Sequence, residues 1–290
     1  MLGFLSASLA EQLTTLSTWQ LPRAGVLLMM NACENRCFFC ANPGVTNPPP
    51  EMLTRWAKIA AWLGENPSLG VRRLCLVGTE PARHPDFDRT LALGREVGFG
   101  EVEVMTSGLR LAERGEARRW ADAGVSTVAA PLYAAEPALH DAIVGRSAFE
   151  ATLAGLDAAR DAGIEVRVHT LALTRTLPAL AALARWVRDR FGTRLSLAPV
   201  RPKEALFAFE QESPSLASLD TALAPIADLG LVGFPSCIAR HLPRDSALSM
   251  TLYFKGQATS FVEACATCAD RPACPGIVNA ELPRARVRPR

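Results

Sequence analysis

From residue 24 to residue 202 the chain alternates short Val-, Leu- and Ile-rich runs with longer stretches in which apolar positions recur every three or four residues. The runs at 25–30, 73–77, 102–105, 127–130, 165–171 and 194–198 have the length and the Gly, Pro or polar flanks of strands. Residues 50–63, 87–97, 113–123, 149–162 and 180–190 read as helices. Phe149, Leu153 and Leu156 fall at i, i+4 and i+7, and Leu180, Leu183 and Val187 at i, i+3 and i+7, so each set forms one apolar stripe able to cover a sheet. Pro50 suits a helix start, and Gly163 and Gly192 stand where helices stop.

Six successive β-then-α units imply a parallel sheet with helices on its outside, because such crossovers are right-handed. Six units do not close an eight-stranded barrel. The expected fold is therefore α/β, an open partial (β/α)6 barrel with its functional groups at the C-terminal ends of the strands. Beyond residue 202 the periodicity breaks up. The expected organisation is an N-terminal helical extension over 1–23, the barrel over 24–202, and a smaller Cys-rich, metal-held region over 203–290 that ends in the basic tail ELPRARVRPR.

Composition narrows the class. Thirty-one Lys and Arg nearly balance 29 Asp and Glu in 290 residues, which argues against a broad nucleic-acid-binding surface. No apolar run reaches the roughly 18 residues of a membrane span. The first residues, MLGFLSASLAEQL, carry no basic residue before their apolar stretch, so a signal peptide is not expected and the compartment is taken as cytoplasmic and reducing. In that setting the eight cysteines point to metal or redox chemistry. Cys33, Cys37 and Cys40 cluster near the start, and Cys237, Cys265, Cys268 and Cys274 lie near the end. Cys75 stands alone in an apolar strand and reads as a buried small hydrophobe.

The run Cys33-Glu-Asn-Arg-Cys37-Phe-Phe-Cys40 follows the first strand at once. Three thiolates leave a tetrahedral zinc site one ligand short. They suffice for three irons of a [4Fe–4S] cubane, leaving the fourth iron open to a chelating small molecule. At the other end, CxxC-x5-C plus Cys237 completes a closed four-thiolate site, and thiolate chemistry alone does not separate zinc from iron–sulfur there.

CxxxCxxC in the loop after the first strand of a partial barrel resembles the radical S-adenosylmethionine superfamily. The resemblance implies that Cys33, Cys37 and Cys40 ligate the cluster. It further implies that S-adenosylmethionine (SAM) chelates the open iron, and that reductive cleavage yields a 5′-deoxyadenosyl radical that abstracts hydrogen from a substrate. Phe39 matches an aromatic position near the adenine. Gly78-Thr79-Glu80-Pro81 resembles the family's GGEP segment, which binds the methionine amino group, with Thr79 in place of the second Gly. Thr106-Ser107-Gly108 resembles its TNG turn. Arg167 and His169 alternate onto one face of the fifth strand, within reach of cofactor or substrate.

The CxxC-x5-C segment resembles a shortened SPASM or twitch module, since Val278 stands where a further Cys belongs. One auxiliary [4Fe–4S] cluster is implied, ligated by Cys237, Cys265, Cys268 and Cys274, with electron transfer or structural support as its role. Ala130-Pro-Leu-Tyr133, His140-Asp141 and Val144 resemble segments of the peptide maturases of His-Xaa-Ser systems, which puts Tyr133 and His140 on the substrate side. The implied reaction is an oxidative modification of a ribosomal peptide, such as cross-linking or dehydrogenation. The alternatives are a radical SAM dehydrogenase or mutase of a small metabolite, and a non-enzymatic zinc-binding protein. Implied partners are an external flavodoxin- or ferredoxin-like electron donor, a precursor peptide and a separate peptide-presenting protein. Only about 23 residues precede the first strand, too few for a folded leader-binding domain, so either the barrel rim binds such a peptide or that separate partner presents it.

Overall fold

A computed structural model describes residues 24–30, 32–40, 44–200, 209–245 and 259–278. The expected 1–23 extension and the basic tail lie outside these residues.

The main sheet has seven parallel strands in sequence order: β1 (Ala24–Met30), β2 (Arg73–Gly78), β3 (Glu101–Met105), β4 (Thr127–Pro131), β5 (Glu165–Ala172), β6 (Ser196–Pro199) and β7 (Gly230–Leu231). Their order makes an open partial barrel with β1 and β7 at its edges. The helices are α1 (Trp56–Glu65), α2 (Phe87–Glu96), α3 (Glu116–Asp122), α4 (Pro137–Val144), α5 (Phe149–Asp161), α6 (Leu180–Phe191), α7 (Phe209–Glu212) and α8 (Leu216–Leu223). A small antiparallel pair, β8 (Thr259–Ser260) with β9 (Ile277–Val278), stands apart from the sheet.

Three features depart from the sequence-based expectation. The sheet gains a seventh strand, β7, inside the region assigned to the C-terminal unit, because two residues hydrogen-bonded to β6 carry no detectable periodicity. The helix expected over 50–63 splits into a single turn at Pro50–Met52 and α1, since the intervening Leu53 is extended and bridges Met30 of β1. Residues 137–144 form the separate helix α4, started by Pro137 and ended by Gly145 in the left-handed conformation.

The two faces of the sheet differ sharply. Leu74 and Leu76, Val102 and Val104, Val128 and Ala130, and Val166 and Val168 form one apolar core with Leu91, Trp120, Leu156 and Leu183 of the helices. The residues between them face the lumen. Pairing sets Cys75 beside Glu103, Glu103 beside Thr127 and Thr127 beside Glu165. Arg167 lies beside Ala129, and His169 lies between Pro131 and Ser196. A parallel sheet with helices on its outer side and polar residues within presents its chemistry inside, at the strand C-terminal ends. Among the described residues no helix is long and apolar enough to cross a membrane.

Candidate active site

The cysteine loop leaves β1 at the C-terminal end of the sheet, and three neighbours hold it. The first is the end of β2. Thr79 N–H donates to Met30 O at 3.1 Å, and a Cβ at Gly78 (φ +142°) would lie 2.2 Å from Met30 O, so only glycine fits. The second is the end of α4. Arg36 N–H donates to Val144 O at 2.8 Å, and a Cβ at Gly145 (φ +72°) would lie 2.8 Å from Arg36 O. The third is an apolar seat of Tyr133, Ile143, Val144 and Leu173, against which Cys37, Phe38 and Phe39 pack. Phe39 meets Tyr133 edge-on at 5.4 Å, and the Arg175 guanidinium lies 4.6 Å over the Phe38 ring.

Within the loop, Cys40 N–H donates to Cys37 O at 2.9 Å, turning the two thiols together, and Asn35 N–H points at Cys33 Sγ at 3.4 Å. Burial and the nearby Glu80 carboxylate push the Cys33 thiol far above its usual range. Burial and Cys40 push Cys37 up to about 12. Such thiols bind as thiolates only when a cationic centre takes up their charge. Among the described residues neither Asn35 Oδ1, within the loop, nor Thr79 Oγ1, on the segment that follows β2, has a hydrogen-bond partner, and both are buried. Three thiols and two unsatisfied polar atoms at the mouth of the barrel fit a three-thiolate cluster with a polar ligand beside it.

Glu80 is 1% exposed and ties β2 to β3. Its carboxylate accepts Thr106 Oγ1–H at 2.8 Å, Ser107 N–H at 2.8 Å and Ser107 Oγ–H at 2.5 Å. Burial raises its pKa in spite of these bonds. The side chains of Thr106 and Ser107 are thus spent on Glu80, and Thr152 of α5 locks the same turn through Ser107 O at 3.1 Å. Pro81 is buried and opens a single turn, Pro81–Arg83.

The remaining sequence candidates separate. Arg167 points toward the N-terminal floor of the barrel, where it pairs with Glu103 at 3.1 Å and Glu165 at 2.9 Å. Its guanidinium is committed there rather than to a ligand at the mouth. Tyr133 is 5% exposed and His140 1%. His140 Nδ1 accepts Tyr133 N–H at 3.3 Å, and the imidazole packs against Tyr133 and Phe149. Both side chains build the seat beneath the loop. Asp141 caps α5, accepting Ala148 N–H at 2.9 Å and Phe149 N–H at 2.8 Å, a role that no local sequence signal announces. His169 alone of the histidine candidates opens onto the lumen, and burial lowers its pKa to about 4, so it is neutral at pH 7.

The late cysteines also converge. Cys237 follows β7, and Cys265, Cys268 and Cys274 lie between β8 and β9. All four line one cavity with Phe261 and Arg271. Ser236 N–H and Gly276 N–H both point at Cys274 Sγ at 3.4 Å. Four thiols with amide donors aimed at sulfur fit a thiolate-bound metal or cluster. Among the described residues no three metal-ligating side chains close on a single ion. Cys75, by contrast, is fully buried in the sheet.

The family described as the Radical SAM superfamily matches residues 27–186. The GTP 3′,8-cyclase of Cronobacter sakazakii is 31% identical over 152 residues, 50% of this chain and 45% of the relative. That of Shewanella denitrificans is 26% identical over 149 residues, 51% and 44% respectively. The chain thus spans less than half the length of these curated relatives. Among solved structures, Streptococcus suis SuiB bound to precursor peptide SuiA has a TM-score of 0.55 at 18% identity, covering 77% of this chain and 50% of that one. Native anSMEcpe with bound AdoMet has a TM-score of 0.57 at 11% identity, covering 69% and 58%. At such identities the likeness is one of fold.

Proposed function

The chain belongs to the radical SAM superfamily, and from that membership we propose that it is an oxidative radical enzyme acting on a peptide substrate. The observation that carries the reading is the placement of Cys33, Cys37 and Cys40 on one loop at the barrel mouth, beside the unsatisfied Asn35 Oδ1 and Thr79 Oγ1. These cysteines would hold a [4Fe–4S] cluster, with SAM at its open iron. When bound, that pair supplies a carbon-centred radical able to take a hydrogen atom from a substrate.

The chain's own residues do the rest. Gly78 lets β2 approach β1, so the segment from Thr79 to Pro81 reaches the loop. Glu80 fixes the Thr106-Ser107 turn beside it. Phe39 and Tyr133 shut the loop's underside to water, and His140 supports them by packing. His169 offers an uncharged imidazole to a substrate in the lumen. Cys237, Cys265, Cys268 and Cys274 would hold one auxiliary [4Fe–4S] cluster ligated wholly by protein, suited to accepting the electron left on an oxidised substrate.

The peptide reading is supported by the resemblance of residues 130–144 to peptide maturases, and by a fold shared with SuiB, a protein solved bound to a precursor peptide. A second reading, a small nucleotide-like substrate, is favoured by the similarity to two GTP 3′,8-cyclases. Anaerobic iron and sulfide analysis tests the shared part, with about eight irons expected for two cubanes. Formation of 5′-deoxyadenosine with a precursor peptide or with GTP then separates the substrates. Stimulation by GTP alone would overturn the peptide reading.

A further inference from the structure

Three of the four late cysteines share one run of turns. Cys268 N–H donates to Cys265 O at 3.2 Å, Arg271 N–H to Cys268 O at 3.2 Å and Cys274 N–H to Arg271 O at 3.3 Å, so local bonds place Cys265, Cys268 and Cys274 relative to one another. Cys237 reaches the same cavity from the loop after β7, and these turns do not fix it.

The turn that carries Cys237 is anchored from the barrel instead. Ile238 N–H donates to Pro235 O at 3.1 Å and closes the turn. Ala239 follows with φ +42°, the left-handed region, and among the described residues no other non-glycine residue has a positive φ. Backbone strained in this way persists where its surroundings fix it. Here Asp220 Oδ1 of α8 accepts Ala239 N–H at 2.8 Å. From the other side, Arg244 Nη2 donates to Ser236 O at 2.9 Å and to Ile238 O at 2.5 Å, the two carbonyls that flank Cys237. Arg244 is itself held in place. Leu231 N–H of β7 donates to Pro243 O at 2.9 Å and Asp245 N–H to Leu231 O at 3.0 Å, so Arg244 is bridged to the last strand of the sheet. The other cations near the cavity stand differently. Arg271 lies 5.1 Å over the Phe261 ring, and the Arg240 charge reaches Cys237. Arg244 grips the backbone on both sides of the thiol.

We propose that Asp220 and Arg244 are positioning residues for Cys237, holding its turn in the conformation that presents this thiol as the fourth ligand beside Cys265, Cys268 and Cys274. The proposal rests on the reading of these four cysteines as holders of a metal or cluster. With both anchors in place the centre is closed by protein sulfur. Without either, the strained turn relaxes, Cys237 leaves, and three thiolates remain with one position open. Groups that orient a metal ligand from behind act on affinity in this way without touching the metal.

The test reads ligation thiol by thiol in the whole protein, anaerobically reconstituted with iron and sulfide. Each variant is treated with iodoacetamide, and the modified cysteines are located by mass spectrometry. All four late cysteines are expected to be protected in the wild type. In Arg244→Met and in Asp220→Ala, Cys237 is expected to react about tenfold faster or more, while Cys265, Cys268 and Cys274 stay protected. Asp220→Asn keeps an acceptor for Ala239 N–H, and Arg244→Lys keeps a charged donor, so both are expected to fall closer to wild type. Arg240→Met removes a neighbouring charge and is expected to match wild type. Cys33, Cys37 and Cys40 serve as the internal reference and are expected to be unaffected throughout. Wild-type protection of Cys237 in either Arg244→Met or Asp220→Ala overturns the proposal. Equal exposure of all four late cysteines does so too, since it marks collapse of the whole segment, and so does the same loss in Arg240→Met, which marks a general effect of charge. A reconstituted wild type whose four late cysteines react as fast as in metal-free protein overturns instead the functional reading beneath it.

Discussion

Glu80 and Ser107 are joined twice, the Glu80 carboxylate accepting both the backbone N–H and the hydroxyl of Ser107 at 2.8 and 2.5 Å. With the bond from Thr106, this fixes the ends of β2 and β3 relative to each other at the rim of the site. Glu80→Gln leaves one acceptor oxygen and puts an amide donor among donors. It is expected to destabilise the protein by about 1–3 kcal/mol, and Glu80→Ala, which strands all three donors, by more. Urea unfolding of the metal-free protein measures both. A Glu80→Ala midpoint equal to wild type would show that the carboxylate does not hold the rim together.

Gly145 is the corresponding weak point on the other side of the loop. Its left-handed φ of +72° and the 2.8 Å approach of Arg36 O both exclude a side chain. Gly145→Ala is expected to cost about 1–3 kcal/mol, by forcing either the turn after α4 or the cysteine loop to shift. A shift of the loop also lowers iron retention at Cys33, Cys37 and Cys40, so thermal unfolding and iron content should fall together. Gly98→Ala provides the comparison. It shares a positive φ but has open space around the Cβ position, so its iron content should stay at the wild-type value.

Most of this architecture is legible in residue order because the relevant signals are local. Six strands and five helices follow from periodicity, since each buries a stripe set by its own spacing. Both cysteine sets announce themselves by clustering. What escapes is whatever depends on a partner far along the chain. β7 is two residues long and exists only through β6. Asp141 looks like part of a motif until its carboxylate is found on the start of α5. Arg167 shares the inward face expected of it, yet Glu103, on a strand two places away, draws its guanidinium to the barrel floor. His140 and His169 cannot be ranked from sequence, because both are single histidines in apolar surroundings. Only packing shows that one is walled in by Tyr133 and Phe149 while the other opens to the lumen.

The buried histidines predict the acid limb of stability. Burial lowers the pKa of His140 to about 4, against about 6.5 in an unfolded chain. Between these values the unfolded state binds a proton that the native state does not, so stability falls as pH drops through this window. The slope approaches about 1.4 kcal/mol per pH unit for one fully buried histidine. His140→Gln keeps an acceptor for Tyr133 N–H but cannot titrate, and should flatten the stability profile between about pH 6.5 and 4. Denaturant titrations across that range check it. An unchanged slope would place the acid sensitivity elsewhere, His169 being the next candidate because burial lowers its pKa to about 4 as well.

The two cysteine groups differ in what their loss removes. Cys33, Cys37 and Cys40 sit on the loop that follows β1, whereas Cys237, Cys265, Cys268 and Cys274 line a cavity built by the loop after β7 and the turns around β8 and β9. Replacing the first three by Ala should abolish 5′-deoxyadenosine formation. Cys268→Ala should remove about half of the iron and leave substrate-independent SAM cleavage measurable, because the proposed ligands of the first site, Cys33, Cys37 and Cys40, are distinct from those of the second. The cavity also organises its surroundings, since Ser236 and Gly276 direct their N–H groups at Cys274 Sγ from opposite sides of the gap in sequence. Metal loss there should therefore raise protease sensitivity around residues 259–278 more than in the barrel. Zinc in place of iron at this site, read by metal analysis of the wild type, would leave the structural effect intact and remove the electron-accepting role.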